Sequence, residues 1–74
     1  MKNTRMRYTV LMDRNADGSY TVTVPSLKGC ISQGDSWDEA LKNIEEAIAG
    51  YIETLRILKK PVPVEVILKD PVVA

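Results

Sequence analysis

The chemistry open to this chain is set first by what it lacks: histidine is absent, and cysteine occurs once, as Cys30. Without histidine there is no imidazole base, no imidazole metal ligand, and no Ser-His or Cys-His nucleophile pair. A single cysteine excludes Cys-x-x-Cys metal sites and an internal disulfide, and no GxGxxG or P-loop pattern occurs. The ten acidic side chains remain, and carboxylates can bind Mg²⁺ or move protons. Yet Asp13, Asp17 and Asp35 stand among turn formers or at a helix start, where aspartate bonds to the nearby backbone. Cys30 follows Gly29 at a strand start with no activating base beside it, and reads as a small buried hydrophobe. No catalysis, metal or cofactor is expected.

Charge offers binding rather than reaction. Ten basic groups balance ten acidic ones, which removes the basic signature of a dedicated nucleic-acid binder. The balance is segregated along the chain. Asp35, Asp38, Glu39, Glu45, Glu46 and Glu53 face only Lys42 in opposition, while Lys2, Arg5, Arg7 and Arg14 lie near the start. Asp38, Glu45, Glu46 and Glu53 read either as solvated helix surface or as a face that steers toward a basic partner.

A chain of 74 residues, 45% hydrophobic and 27% charged, has the makings of one globular domain near the lower size limit for a disulfide-free core. No apolar run approaches the roughly 20 residues that span a bilayer, and one cysteine suits a reducing compartment. A soluble, cytoplasmic protein is expected.

The elements follow from periodicity. Met6, Tyr8, Val10 and Met12 alternate with Arg7, Thr9 and Leu11 as in a half-buried strand, and the turn formers of residues 13–18 end in Asp17-Gly18. Tyr20, Val22 and Val24 alternate again, so the two runs form a hairpin that Pro25 closes. A short third strand runs from Gly29 to Gln33, and Gly34 releases it. Ser36, or Asp35, is placed to cap a helix, with Glu39 at capping-box spacing. Pro61 and Pro63 stop that helix, predicted over Trp37–Lys59. Trp37, Leu41, Ile44, Ile48, Tyr51, Leu55 and Leu58, widened by Ala40, Ala47 and Ile52, form its core stripe. Val64, Val66 and Leu68 alternate in a fourth strand. The reading is α+β in two layers, β-β-β-α-β, an antiparallel meander under one long helix with a final strand joining the sheet.

The stretch from Gly18 to Ser36, with Glu39-Ala40 behind it, resembles the HicB-like antitoxin family. It carries that family's strand, its Pro-x-Leu-x-Gly-Cys turn in Pro25, Leu27, Gly29 and Cys30, and its cap in Gly34, Asp35 and Ser36. The x-x-Glu-Ala step is Glu39-Ala40. Glu46-Ala47-Ile48 and Pro61-Val62-Pro63 also look like the family, so the similarity covers roughly residues 6 to 68. The resemblance implies a partly degenerate ribonuclease-H-like fold whose last strand lies beside the first. It also implies a partner, a HicA-type toxin that cleaves messenger RNA. That toxin family depends on a histidine, so this chain would be the antitoxin. Many relatives continue into a C-terminal DNA-binding module; the sequence ends at Ala74, and operator binding is not expected of this chain alone.

An alternative function stays open beside the antitoxin: a small regulatory or nucleic-acid-binding module that uses the sheet face around Arg7, Thr9, Thr21 and Thr23. Association is also expected. A helix of about 23 residues is about 35 Å long, while a six-residue strand reaches only about 20 Å. The overhang exposes Tyr51, Leu55 and Leu58 unless a second chain covers them, and Gly50 with Ile57 offers a notch and an apolar contact outside the core stripe. These five residues are the expected contacts of a homo-oligomer, a dimer or tetramer.

Overall fold

A computed structural model describes residues 7–65. The elements are β1 (Leu11–Arg14), β2 (Tyr20–Thr23), β3 (Ile31–Gly34) and α1 (Trp37–Ile57). The strands form an antiparallel sheet in the order β1-β2-β3, with Leu11 opposite Thr23 and Thr23 opposite Ile31. Among the described residues α1 packs over β3 and β2. This is the α+β meander under a helix that periodicity predicts.

The inward residues match the alternation, but the boundaries move: β1 starts at Leu11, so Tyr8 and Val10, predicted within it, precede it. Val22 and Val24 are buried, and Tyr8, Val10, Met12 and Tyr20 pack against the same core. β1 runs on to Arg14, so Asp13 sits in a strand and not in the turn. The reason is the tightness of the loop. The Asn15 amide donates to the Ser19 carbonyl at 2.7 Å and the Gly18 amide to the Asn15 carbonyl at 2.9 Å, with Gly18 at φ 92°. This is a four-residue turn closed by a left-handed glycine, which leaves Asp13 and Arg14 free to pair. The Asn15 amide group also donates to the Ser19 and Thr21 hydroxyls at 2.9 and 3.0 Å.

Between β2 and β3 the chain makes two successive turns. The Leu27 amide donates to the Val24 carbonyl at 3.0 Å, and the Cys30 amide to the Leu27 carbonyl at 2.9 Å. Gly29 occupies the third position of the second turn at φ 83°, a conformation that a side chain resists. That use of Gly29 delays β3 to Ile31, two residues beyond the predicted start. Leu27 points inward from the loop with no exposed surface, and Cys30 returns the chain into the core.

Ser36 is the N-cap of α1, its hydroxyl accepting the Glu39 amide at 3.1 Å. Glu39 reaches back one residue further than the capping box predicts: its carboxylate accepts the Asp35 amide at 2.7 Å, not that of Ser36. The helix ends at Ile57 rather than Lys59, because Lys59 turns left-handed at φ 56°. The Lys60 amide then donates to the Leu55 carbonyl at 2.8 Å and that of Lys59 to Arg56 at 3.0 Å, a Schellman arrangement that satisfies the last carbonyls without glycine. Ala40 and Ile44 are buried; Leu41, Ala47, Ile48, Tyr51, Ile52 and Leu55 are half-buried. Trp37 and Leu58, predicted in the core stripe at its two ends, are instead 52% and 56% exposed; Trp37 stands edge-on to Tyr20, ring centres 5.8 Å apart at 85°, and so fastens the first helical turn to the sheet. The fourth strand, predicted from Val64 onward, falls almost wholly outside the described residues.

Candidate functional site

The Pro25–Ala40 stretch is a scaffold for the start of α1, and Gly34 is its tightest point. A Cβ built there would lie 2.5 Å from the Ala40 backbone nitrogen, 2.8 Å from its Cα and 2.9 Å from the Glu39 carbonyl carbon. Gly34 is therefore needed for close helix–strand approach, and not for a turn conformation as its place after β3 suggests. On the far side of the loop the Tyr51 hydroxyl donates to the Lys28 carbonyl at 2.8 Å. The Asn43 amide group donates to the Gln33 carbonyl at 2.7 Å, covering one backbone acceptor of the β3 edge. Burial pushes the Cys30 thiol above its ordinary pKa, consistent with a packing role and not a nucleophilic one.

Asp38, Glu45, Glu46 and Glu53 are all exposed on α1, but they do not form one stripe. Glu45 and Glu53 rim an open groove of about 740 Å³ between α1 and the approach to β1, floored by Val10, Leu41, Ile44 and Ile48. Arg7 and Arg56 share that rim. Glu46 lies about 100° around the helix from Glu45, toward Gly50 and Ile57. Of the expected association residues, Tyr51 is half-buried and tied to the loop, and Leu55 is half-buried. Ile57 and Leu58 are 69% and 56% exposed. Gly50 opens on a second depression, of about 330 Å³, on the β3 flank of the helix.

On the sheet, two of the four residues offered for nucleic acid are already engaged. The Thr21 hydroxyl bonds with the Asn15 side chain, and the Thr9 hydroxyl donates to Glu65 at 2.9 Å. Asp17 accepts the Ser19 hydroxyl at 2.6 Å and the Ser19 amide at 2.9 Å, bonds that hold its carboxyl below the ordinary value. It is a turn residue.

Glu65 is the polar centre that sequence reasoning missed. Its carboxylate accepts the Ser26 hydroxyl at 2.6 Å and the Thr9 amide at 2.8 Å, besides the Thr9 hydroxyl. Continuing the β1–β2 register places Thr9 opposite Pro25, where the chain turns away and leaves the Thr9 amide without a ladder partner. Glu65 supplies the acceptor from 56 residues away. The Tyr8 hydroxyl donates to the Pro63 carbonyl at 2.6 Å, so the segment after the helix is held along the approach to β1. Ser26 and then Thr9 hold the Glu65 carboxyl below its ordinary 4.5. A depressed folded-state pKa gives stability that is present above the ordinary value and lost as pH falls through the folded one. In urea unfolding the advantage of the native chain over Glu65→Gln should therefore shrink as pH drops from about 6 to about 3. A gap independent of pH would show that the ionised carboxylate contributes nothing.

The family described as HicB_like antitoxin of bacterial toxin-antitoxin system matches residues 8–72. UPF0150 protein ssr1765 of Synechocystis is 50% identical over 64 residues, covering 86% of this chain and 81% of that protein. UPF0150 protein Ta0767 of Thermoplasma acidophilum is 48% identical over 58 residues, 78% of this chain and 84% of its own. In structure the chain is similar to the N-terminal domain of the Burkholderia pseudomallei antitoxin HicB, with TM-score 0.69 and 38% identity. That match covers 76% of this chain and 66% of the solved one, just under two thirds. The chain belongs to the HicB-like antitoxin family.

Proposed function

We propose that this chain is the antitoxin of a toxin–antitoxin pair, and that it acts by covering the RNA-binding surface of a HicA-type, mRNA-cleaving toxin. The observation that carries the reading is the family match over residues 8–72, together with the likeness to the N-terminal domain of an antitoxin HicB. The mechanism is occlusion and not chemistry. A surface that grips RNA must carry positive charge to meet phosphates. Asp38, Glu45, Glu46 and Glu53, exposed on one helix, supply the opposite sign. The site of action is the cytoplasm, where messenger RNA is translated. Among the described residues no helix is long and apolar enough to cross a membrane.

The finer fold belongs to the same proposal. The final strand, beginning at Val64, joins the sheet beside β1 in a partly degenerate ribonuclease-H-like arrangement. The bonds from Tyr8 to Pro63 and from Thr9 to Glu65 support this, since they bring the chain to the approach to β1.

The charge mechanism has a kinetic test. Asp38→Asn combined with Glu45→Gln, Glu46→Gln and Glu53→Gln should slow association with the toxin about tenfold at low salt and flatten its salt dependence, with dissociation changing less. Equal rates at two ionic strengths would assign these carboxylates to solvation and place the binding site elsewhere.

A further inference from the structure

We propose that the Glu65 carboxylate is a pH-released clasp. While ionised it holds the connection after α1, residues 61–65, against the approach to β1; on protonation that connection swings away while the meander and helix stay folded. The inference rests neither on the antitoxin reading nor on where the final strand runs. It begins from how this stretch is attached. Pro63 and Val64 are exposed, Val62 and Glu65 are half-buried, and none of residues 61–65 belongs to the buried core. The last described bonds of the helix end fall on Lys59 and Lys60. Beyond them, among the described residues, the stretch is tied by the Tyr8 hydroxyl to the Pro63 carbonyl and by the donors that meet on Glu65. A segment held by exposed hydrogen bonds and few apolar contacts opens locally, without the rest of the fold.

Glu65 joins the connection to two other elements at once. The amide and hydroxyl of Thr9 come from the approach to β1, and the Ser26 hydroxyl from the loop after β2. An ionised carboxylate accepts all three, and its charge strengthens each bond. Protonation removes that charge and brings a further proton into a site where three already converge. Hydrogen bonds and not an ion pair hold the group. The charged and titratable side chains of the adjoining elements are Arg7 and Tyr8 before β1, Lys28 after β2, and Lys59 and Lys60 after α1. Among the described residues no cation pairs with Glu65. Ser26 and then Thr9 lower its pKa, so the clasp is closed above the ordinary value and opens as pH falls through the folded one.

NMR of the full chain from about pH 6 to about pH 2.5 covers that range. The Thr9 amide should titrate with a midpoint below 4.5. Its exchange protection should fall about tenfold across the titration, while the Leu27 and Cys30 amides, bonded within the loop, keep theirs. Glu65→Gln should abolish the titration of the Thr9 amide. Tyr8→Phe keeps the ring and removes a tie that does not touch Glu65. It should raise the midpoint toward 4.5, because the two ties open together. Thermal unfolding near neutral pH checks that both variants are folded. A Thr9 titration that persists in Glu65→Gln, protection lost at Thr9, Leu27 and Cys30 together, or a midpoint indifferent to Tyr8→Phe would overturn the proposal.

Discussion

Gly34→Ala should remove a large part of the stability of this fold. The added methyl group would stand 2.5–2.9 Å from three backbone atoms of Glu39 and Ala40, and a backbone held in the first turn of a helix cannot rotate aside as a side chain can. The helix start must lift from β3, and it is the same turn that Ser36 and Glu39 fasten. Overpacking of this kind costs about 2–3 kcal/mol. A chain of this length has in all about 4–11 kcal/mol, at about 0.05–0.15 per residue. Gly18→Ala is the control. Gly18 lies at φ 92° with open space around it, so only backbone strain is added, about 1 kcal/mol. Urea unfolding of both variants should rank Gly34→Ala well below Gly18→Ala. A reversed order would mean that the helix does not approach the sheet at Gly34 as closely as described.

Leu27→Ala should cost about 3 kcal/mol, as truncation of a fully buried leucine does when its surroundings collapse only in part. Leu27 has no exposed surface and shares the buried core with only Val22, Val24, Cys30, Ala40 and Ile44 among the described residues. The loss also reaches the loop, because Leu27 anchors both turns and the carbonyl that receives Tyr51. Amide exchange should accelerate at Cys30, whose amide is bonded to the Leu27 carbonyl, more than at the Gly18 amide in the distant hairpin loop. Uniform acceleration would show a purely global effect.

Local rules carried most of the architecture. The two-residue period placed Val22 and Val24 inward, and the capping pattern placed Ser36 at the helix start, because both follow from neighbours a few positions apart. What they missed depends on contacts between distant positions. Gly34 looks like a turn glycine in sequence, and only packing against Ala40 shows that it serves close approach. Glu65 sits in an alternating run and carries no local signal, since its partners Thr9 and Ser26 lie 56 and 39 residues away. A trace of it was available: the chain turns away at Pro25, so the Thr9 amide ahead of β1 loses its ladder acceptor and needs another. The helix end illustrates a third limit. Lys59 takes a left-handed cap usually given to glycine, and composition alone does not announce it. The acidic residues of α1 were legible as a group, while their division between the groove and the Gly50 flank depends on how the helix is rolled against the sheet.

The proposed function is that this chain silences a toxin by covering it. The most direct measurement is RNA cleavage by the purified HicA-type toxin from the same genome, titrated with the full chain. Cleavage should fall in proportion to added chain and cease once the toxin is saturated, with the two proteins co-eluting as a complex. Undiminished cleavage with the chain in large excess, and no complex on the column, would contradict it.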